Sequence, residues 1–136
     1  MAQAVDSSVA LAALLADHDA HAQAGQALAA STITIAHVAI ESYSVLTRLP
    51  RPLQLDAAQA ALILDARLPD ELAALSRDAY ASAPTRLARA GVIGGATYDG
   101  VIALTALEHD VELLSRDRRA ARTYRALGVR FDLLGS

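Results

Sequence analysis

The chain has 136 residues, of which 54% are hydrophobic, 20% are charged and none is cysteine. This length and composition predict one folded domain over residues 1–136, and the lack of cysteine excludes disulfides, thiolate metal sites and cysteine nucleophiles. No apolar run approaches the roughly 18 residues of a membrane span, and no signal peptide is evident, so we expect a cytoplasmic protein. The formal net charge of −3 offers no overall attraction for nucleic acid.

Strand and helix patterns alternate along the chain. The first half predicts, in order, a strand at 2–5, a helix from the Asp6-Ser7-Ser8 turn through Leu15, a helix at about 19–29, a strand at 32–35, a helix at about 37–48 and a helix at 57–67. The second half predicts a weak strand at 71–75, a helix at 77–91, a helix at 96–109, a strand at 111–114, a helix at 117–127 and a strand at 129–133. Such alternation predicts a mainly parallel sheet with helices on both faces.

Local signals support several of these elements. The run 32–35 is β-branched throughout, which is typical of a strand. Asp56 can cap the helix that follows it, and Gly128 can end the last helix. Pro84 marks either a kink or a fresh start within its helical stretch. The helix at 96–109 has almost no polar face, which predicts that it is buried.

Four acidic residues lie where a carboxylate is hard to explain as ordinary surface. Asp6 and Asp117 each follow a short apolar strand and precede a helix. Glu41 lies at the edge of an apolar helix stripe, and Asp99 opens the most hydrophobic helix of the chain. In a parallel sheet, ligands bind at the carboxyl ends of the strands. Carboxylates that converge there repel one another unless a divalent cation lies between them, and oxygen ligands suit Mg²⁺ or Mn²⁺.

Each acid also has a purely structural explanation. Asp6 and Asp117 fit helix N-caps as well as they fit a metal site, and Ser7 fits either a cap or a residue that supports the metal ligands. Asp99 could act only as the negative charge at a helix N-terminus, and Glu41 could pair with an arginine. Their joint placement at element boundaries favours a shared site.

All twelve basic residues are arginines, and half of them crowd into the last 21 residues. These are Arg116, Arg118, Arg119, Arg122, Arg125 and Arg130. A local basic patch beside carboxylates suits a phosphate-bearing substrate, and a guanidinium matches phosphate oxygens well. Arg116, Arg118 and Arg119 are therefore candidate phosphate contacts, and a solvated helix face is the competing interpretation.

Four segments resemble the PIN-domain ribonucleases, and among them the VapC-type toxins of toxin–antitoxin pairs. They are Val5-Asp6-Ser7-Ser8, Ile40-Glu41, Gly94-Gly95-Ala96-Thr97-Tyr98-Asp99 and Leu113-Leu114-Ser115-Arg116-Asp117-Arg118-Arg119-Ala120. The resemblance extends over essentially the whole chain. It implies a single PIN domain with a three-layer α/β/α fold around a central, mainly parallel sheet. His109-Asp110 departs from the family, in which a His-Gly turn is common at that place.

The resemblance also implies an activity and partners. PIN ribonucleases of this type hydrolyse RNA, and the arginines named above would contact its phosphates. The Mg²⁺ or Mn²⁺ ligands and catalytic acids would be Asp6, Glu41, Asp99 and Asp117, with Ser115 matching a hydroxyl residue that helps hold the site together. The expected substrate is tRNA or rRNA, cut to leave 5′-phosphate and 3′-hydroxyl ends. Such toxins usually form homodimers and are silenced by a VapB-like antitoxin.

Two other functions compete with this interpretation. A non-catalytic PIN module that binds RNA or protein would have a missing or replaced acid, and none of the four is missing. A phosphorylation receiver shares the alternating architecture but requires a lysine after a late strand, and the chain has no lysine. The sequence therefore favours a metal-dependent endoribonuclease.

Overall fold

The computed structural model describes residues 1–135. Over this range the strands are β1 (Ala2–Val5), β2 (Thr34–Ile35), β3 (Leu72–Ala73), β4 (Val111–Ser115) and β5 (Phe131–Leu133). The helices are α1 (Ser7–Leu14), α2 (His21–Ala30), α3 (Ala36–Thr47), α4 (Ala57–Arg67), α5 (Arg77–Arg89), α6 (Ala96–Glu108) and α7 (Arg118–Leu127). No helix in the described range is both long enough and apolar enough to cross a membrane.

Every strand pairing within residues 1–135 is parallel, as the alternation of strands and helices predicts. β4 lies between β1 and β5, and β2 pairs with β3. The Thr32 backbone N–H donates to the Gln3 carbonyl at 3.0 Å, which holds the chain leading into β2 beside β1. Val5 is in register with Leu114. The residues that follow β1 and β4 therefore start side by side at one edge of the sheet.

The main core lies between the strands and the helices packed on them. Leu113 of β4 is fully buried and belongs to one apolar cluster with Val9 of α1 and Ile102 of α6. Ile102 and Leu104 are both fully buried, in a helix whose middle is buried almost all round. This confirms the burial expected of a helix without a polar face, and burying each such side chain contributes roughly 1.5–3 kcal/mol.

The strands predicted at 32–35 and 71–75 are each reduced to two residues, β2 and β3. Thr32 bonds to β1 rather than to β3, so the ladder between β2 and β3 is limited to two pairs. β5 begins at Phe131, two residues later than predicted. The Val129 backbone N–H is used instead to close the end of α7.

The boundaries of two helices differ from the predicted ones. α2 begins at His21 rather than near residue 19, because the His18 Nδ1 accepts the Ala20 backbone N–H at 3.1 Å and stabilises a turn there. α5 runs through Pro84 as one helix, so a fresh helix start at that proline is wrong.

Two turn residues have left-handed backbone conformations. Gly128 has φ of 76° and donates its N–H to the Arg125 carbonyl, which confirms the predicted glycine cap of α7. Asp110 has φ of 54° in the turn between α6 and β4. Glycine is unstrained in this region and aspartate is among the residues that tolerate it. The turn can thus be made with either residue, which accounts for the departure at His109-Asp110.

Candidate active site

A cleft of about 350 Å³ lies at the carboxyl edge of the sheet. The four acids predicted from the sequence all line it: Asp6 after β1, Glu41 on α3, Asp99 on α6 and Asp117 after β4. Ser7 of α1 lines the same cleft. The fold therefore brings together four carboxylates from four separate parts of the chain.

Asp6 is the most deeply buried of the four acids, with 3% of its surface exposed. Its Oδ1 caps α1 by accepting the backbone N–H groups of Ser8 at 3.0 Å and Val9 at 3.4 Å, and it also accepts the Ser8 hydroxyl at 2.6 Å. Its Oδ2 accepts the Tyr124 hydroxyl at 2.7 Å. Burial raises the pKa of Asp6, and hydrogen bonds from Ser115, Ser8 and Tyr124 offset part of that rise. Asp6 is thus both a helix cap and a cleft residue.

Tyr124 and Ser8 support Asp6 but were not identified as site residues from the sequence. Tyr124 is fully buried on α7. Its burial and the nearby Asp6 charge raise its pKa, so the phenol stays protonated and donates. The Ser8 hydroxyl oxygen accepts the Arg116 backbone N–H at 2.8 Å, which links Asp6 to the chain after β4. A signal for Tyr124 existed, because it lies seven residues after Asp117 and therefore on the same helix face.

Glu41 is held by neighbours on α1 and α3. The Ser7 hydroxyl donates to Glu41 Oε1, and the His37 Nε2 lies 4.0 Å from Glu41 Oε2. The His37 ring in turn stacks on Tyr98, with ring centroids 5.7 Å apart. Tyr98 lines the cleft and is 55% exposed. Ser7 therefore contacts an acid of the cleft, while the capping of α1 belongs to Asp6.

Asp117 caps α7 and is tied to Asp6 through Ser115. Its Oδ1 accepts the backbone N–H groups of Arg119 at 2.8 Å and Ala120 at 3.4 Å. The hydroxyl oxygen of the fully buried Ser115 accepts the Asp117 backbone N–H at 3.1 Å, and Ser115 also hydrogen-bonds to Asp6. Ser115 thus connects the two acids that follow adjacent parallel strands.

Asp99 lies in the first turn of α6, where the helix dipole stabilises a negative charge. Burial and the charges of Asp6, Glu41 and Asp117 nevertheless raise the pKa of Asp99 from 3.8 to about 6. No hydrogen bond from the described part of the chain contributes to lowering it. Desolvation and repulsion therefore outweigh the dipole at this residue, and a cation in the cleft would relieve both.

Carboxylate oxygens are the groups that could hold a metal in this cleft. Within residues 1–135, no three carboxylate or imidazole groups already stand as a complete set of direct ligands for one ion. Mg²⁺ usually keeps several of its waters and takes only one or two protein carboxylates directly. The donor set therefore fits a hydrated hard cation, bound partly through water.

The arginines predicted to contact phosphates lie outside the lining of the cleft. Arg118 and Arg119 are exposed on α7 and line a second groove. Arg116 is partly buried, and its Nε has no hydrogen-bond partner in the described part of the chain. Arg48 lines the acidic cleft itself, although sequence analysis did not single it out. Its position just after α3 carries no signal, because only tertiary packing brings it to the acids.

Comparisons with known sequences place the chain in a family. The PIN domain family model matches residues 4–126. Ribonuclease VapC27 of Mycobacterium tuberculosis (strain ATCC 25618 / H37Rv) is 43% identical over 127 residues, which cover 93% of this chain and 92% of that protein. Ribonuclease VapC40 of Mycobacterium tuberculosis (strain CDC 1551 / Oshkosh) is 38% identical over 131 residues, which cover 96% of this chain and 98% of that protein.

A solved structure shows the same fold. The crystal structure of Mycobacterium tuberculosis VapC20, described as a sarcin-ricin loop cleaving toxin, matches with a TM-score of 0.66 and 22% identity over 88% of this chain and 93% of that chain. This likeness confirms the three-layer α/β/α arrangement with a mainly parallel sheet. Together with the matched family model and the two full-length relatives, it shows that the chain belongs to the PIN-domain family and, within it, to the VapC-type ribonucleases.

Proposed function

We propose that the chain is a metal-dependent endoribonuclease that hydrolyses internal phosphodiester bonds of RNA. The observation that carries this proposal is the environment of Asp99, whose pKa is raised to about 6 by burial and by three neighbouring carboxylates. Such crowding of negative charge disfavours the free cleft, and a divalent cation would balance it. Kinship with VapC-type ribonucleases supports the same activity.

The proposed cofactor is Mg²⁺ or Mn²⁺. Oxygens of Asp6, Asp99 and Asp117 would hold it directly or through water. Glu41 would complete this set or orient the attacking water. When bound, the cation supplies Lewis acidity, which makes water a better nucleophile and offsets the negative charge that builds up on the phosphate.

The chain's own residues position the water and the substrate. Glu41, fixed by the Ser7 hydroxyl, is placed to accept a proton from the water that attacks phosphorus. The P–O3′ bond then breaks, which leaves a 3′-hydroxyl and a 5′-phosphate end. Arg48 lines the same cleft and can bind a non-bridging phosphate oxygen through its guanidinium.

The proposed biological role is that of a toxin neutralised by a cognate VapB-like antitoxin. Full-length similarity to two VapC ribonucleases supports this role. The proposed substrate is tRNA or rRNA, and the proposed location is the cytoplasm, where those RNAs are found. A homodimer is expected from the family, and sedimentation of the purified protein at micromolar concentration tests it.

The decisive experiment is incubation of antitoxin-free protein with total cellular RNA and Mg²⁺, followed by mapping of the cut ends. We expect discrete cuts that are lost in EDTA and reduced by roughly 100-fold or more in Asp99→Asn, since catalytic carboxylates contribute about 10²–10⁴-fold. Asp65→Asn, which neutralises an exposed acid of α4 outside the cleft, is the matched control and should cut as the wild type does.

Two results would contradict the proposal. Cuts of undiminished intensity in Asp99→Asn would show that the cleft is not the site of hydrolysis. Folded wild-type protein that takes up Mn²⁺ but cuts no RNA would instead indicate a binding module of the PIN fold.

A further inference from the structure

Helix α7 carries an unusual concentration of positive charge on its exposed face. Four arginines occur within its ten residues, no acid does, and all four are exposed: Arg118, Arg119, Arg122 and Arg125. The opposite face is buried and includes Tyr124, which bonds to Asp6. The helix thus anchors the acidic cleft with one face and presents cations with the other.

These arginines are not neutralised by acids of the chain. Within residues 1–135 none of the four forms a salt bridge, whereas Arg130 pairs with Asp110. Arg125 packs over the ring of Phe131, with 5.4 Å from its guanidinium carbon to the ring centroid. In a chain of net charge −3, acids are available for pairing, yet the cations of α7 remain open to a ligand.

The placement of these arginines does not favour the helix itself. Arg118 and Arg119 lie in the first turn, where the positive end of the helix dipole disfavours a cation. Arg118 and Arg122 are four residues apart, and Arg122 and Arg125 are three apart, so like charges face each other along one side. Helix stability therefore does not account for the patch, and binding of an anion does.

The four arginines line a groove of about 550 Å³ whose lining, in the described part of the chain, includes no acid. α7 begins at its cap, Asp117, which lines the acidic cleft, so the groove starts within one helical turn of that cleft. From Arg118 to Arg125 it extends about 10 Å at roughly 1.5 Å per residue. Its apolar lining is limited to Ala121 and Leu133, which is less than the core of a protein–protein interface requires.

We propose that this groove binds the phosphate backbone of the RNA strand next to the bond that is cut. The inference rests on the proposed ribonuclease function and adds a substrate-binding surface to it, extending beyond Arg118 and Arg119 to Arg122 and Arg125. Guanidinium groups contact phosphate oxygens without reading bases, so the groove positions the strand and contributes affinity that does not depend on sequence.

The test measures binding separately from cleavage. All proteins carry Asp99→Asn and are kept in EDTA, and the probe is a fluorescently labelled oligouridylate followed by anisotropy over a series of salt concentrations. We expect Arg118→Gln/Arg122→Gln to weaken binding at low salt and to make the slope of log K against log salt shallower by about 1.4, at about 0.7 per lost contact on a single strand. Circular dichroism checks that the variant is folded.

The matched control is Arg67→Gln/Arg89→Gln, which removes the same charge from the exposed ends of α4 and α5. It should keep the slope of the parent protein. The proposal is wrong if the two double variants behave alike, because net charge alone would then explain the effect. It is also wrong if the α7 variant keeps its RNA slope but loses binding to polyglutamate, since the surface would then serve an acidic protein.

Failure of this inference can be told apart from failure of the proposed function. With Asp99 restored, wild-type protein that cuts RNA while the α7 variant binds and cuts as well would remove the groove and keep the ribonuclease. Protein that cuts no RNA but shows the expected change of slope would keep the groove and remove the hydrolysis.

Discussion

Asp6 joins local and tertiary structure in a single side chain. One of its oxygens caps α1, and the other accepts the hydroxyl of Tyr124 from α7. A carboxylate that is only 3% exposed is stabilised mainly by such hydrogen bonds, because burial alone favours its neutral form. The orientation of Asp6 towards the cleft therefore depends on a donor that arrives from the far end of the chain.

The change Tyr124→Phe removes this donor while keeping the ring. Loss of a residue that orients a metal ligand typically costs about 10–100-fold in metal affinity or activity. We expect the Mn²⁺ dissociation constant of Tyr124→Phe, measured by titration calorimetry, to rise by roughly that factor. The Mg²⁺ concentration for half-maximal RNA cleavage should rise in parallel. Tyr80→Phe, at an exposed tyrosine of α5, is the control, and equal Mn²⁺ affinity in both variants would contradict a positioning role for Tyr124.

At the scale of elements, α7 organises the site. Its cap is Asp117, its buried face supplies Tyr124, and its exposed face carries the arginine groove. The helix is ended by Gly128 in a left-handed conformation, which allows the chain to turn directly into β5. The position of every α7 side chain at the site depends on these two well-defined ends.

Gly128→Ala should destabilise the protein by about 1 kcal/mol. The left-handed conformation at φ of 76° costs a non-glycine residue roughly 1–2 kcal/mol, partly offset by the lower entropy of alanine in the unfolded chain. Gly25→Ala in α2 is the control with the opposite sign, because Gly25 is helical and an added Cβ meets nothing within 4 Å. Urea denaturation measures both, and equal shifts in the two variants would show that backbone strain at Gly128 is unimportant.

For the molecule as a whole, the acidic cleft is a cost to folding that metal binding offsets. The fold holds Asp99 beside three other carboxylates, and its pKa rises to about 6 as a result. The folded protein therefore keeps this proton between about pH 4 and 6, where the unfolded chain releases it. The free energy of unfolding falls as the pH rises through this window, and the loss is complete above it.

Asp99→Asn should remove this pH-dependent loss. In EDTA we expect the variant to gain thermal stability relative to wild type as the pH rises from 4 to 6, with a constant advantage at higher pH. Saturating Mn²⁺ should reverse the order at pH 7, because ligand binding stabilises the folded state of the protein that binds it. Melting temperatures across pH, with and without Mn²⁺, measure both effects. A difference between the two proteins that does not change from pH 4 to pH 7 would contradict the assigned environment of Asp99.

Residue patterns along the chain were sufficient to predict parallel pairing, the glycine end of α7 and a cleft shared by Asp6, Glu41, Asp99 and Asp117. These features follow from local chemistry, since capping, helix periodicity and the order of strands and helices depend on residues close in sequence. The short length of β2 and the start of α2 were missed. Each depends on one hydrogen bond that propensity does not reveal.

The partners of the acids depend on tertiary structure. The Tyr124 hydroxyl reaches Asp6 across 118 positions of sequence, and the Arg116 N–H reaches Ser8 across 108. No local pattern encodes such contacts, because they arise only when β1 and β4 pair in register and α7 packs back over their ends. The same packing raises the pKa of Asp99, since burial and the approach of other charges exist only in the folded chain. Local sequence therefore placed the acids, and long-range packing set their environment.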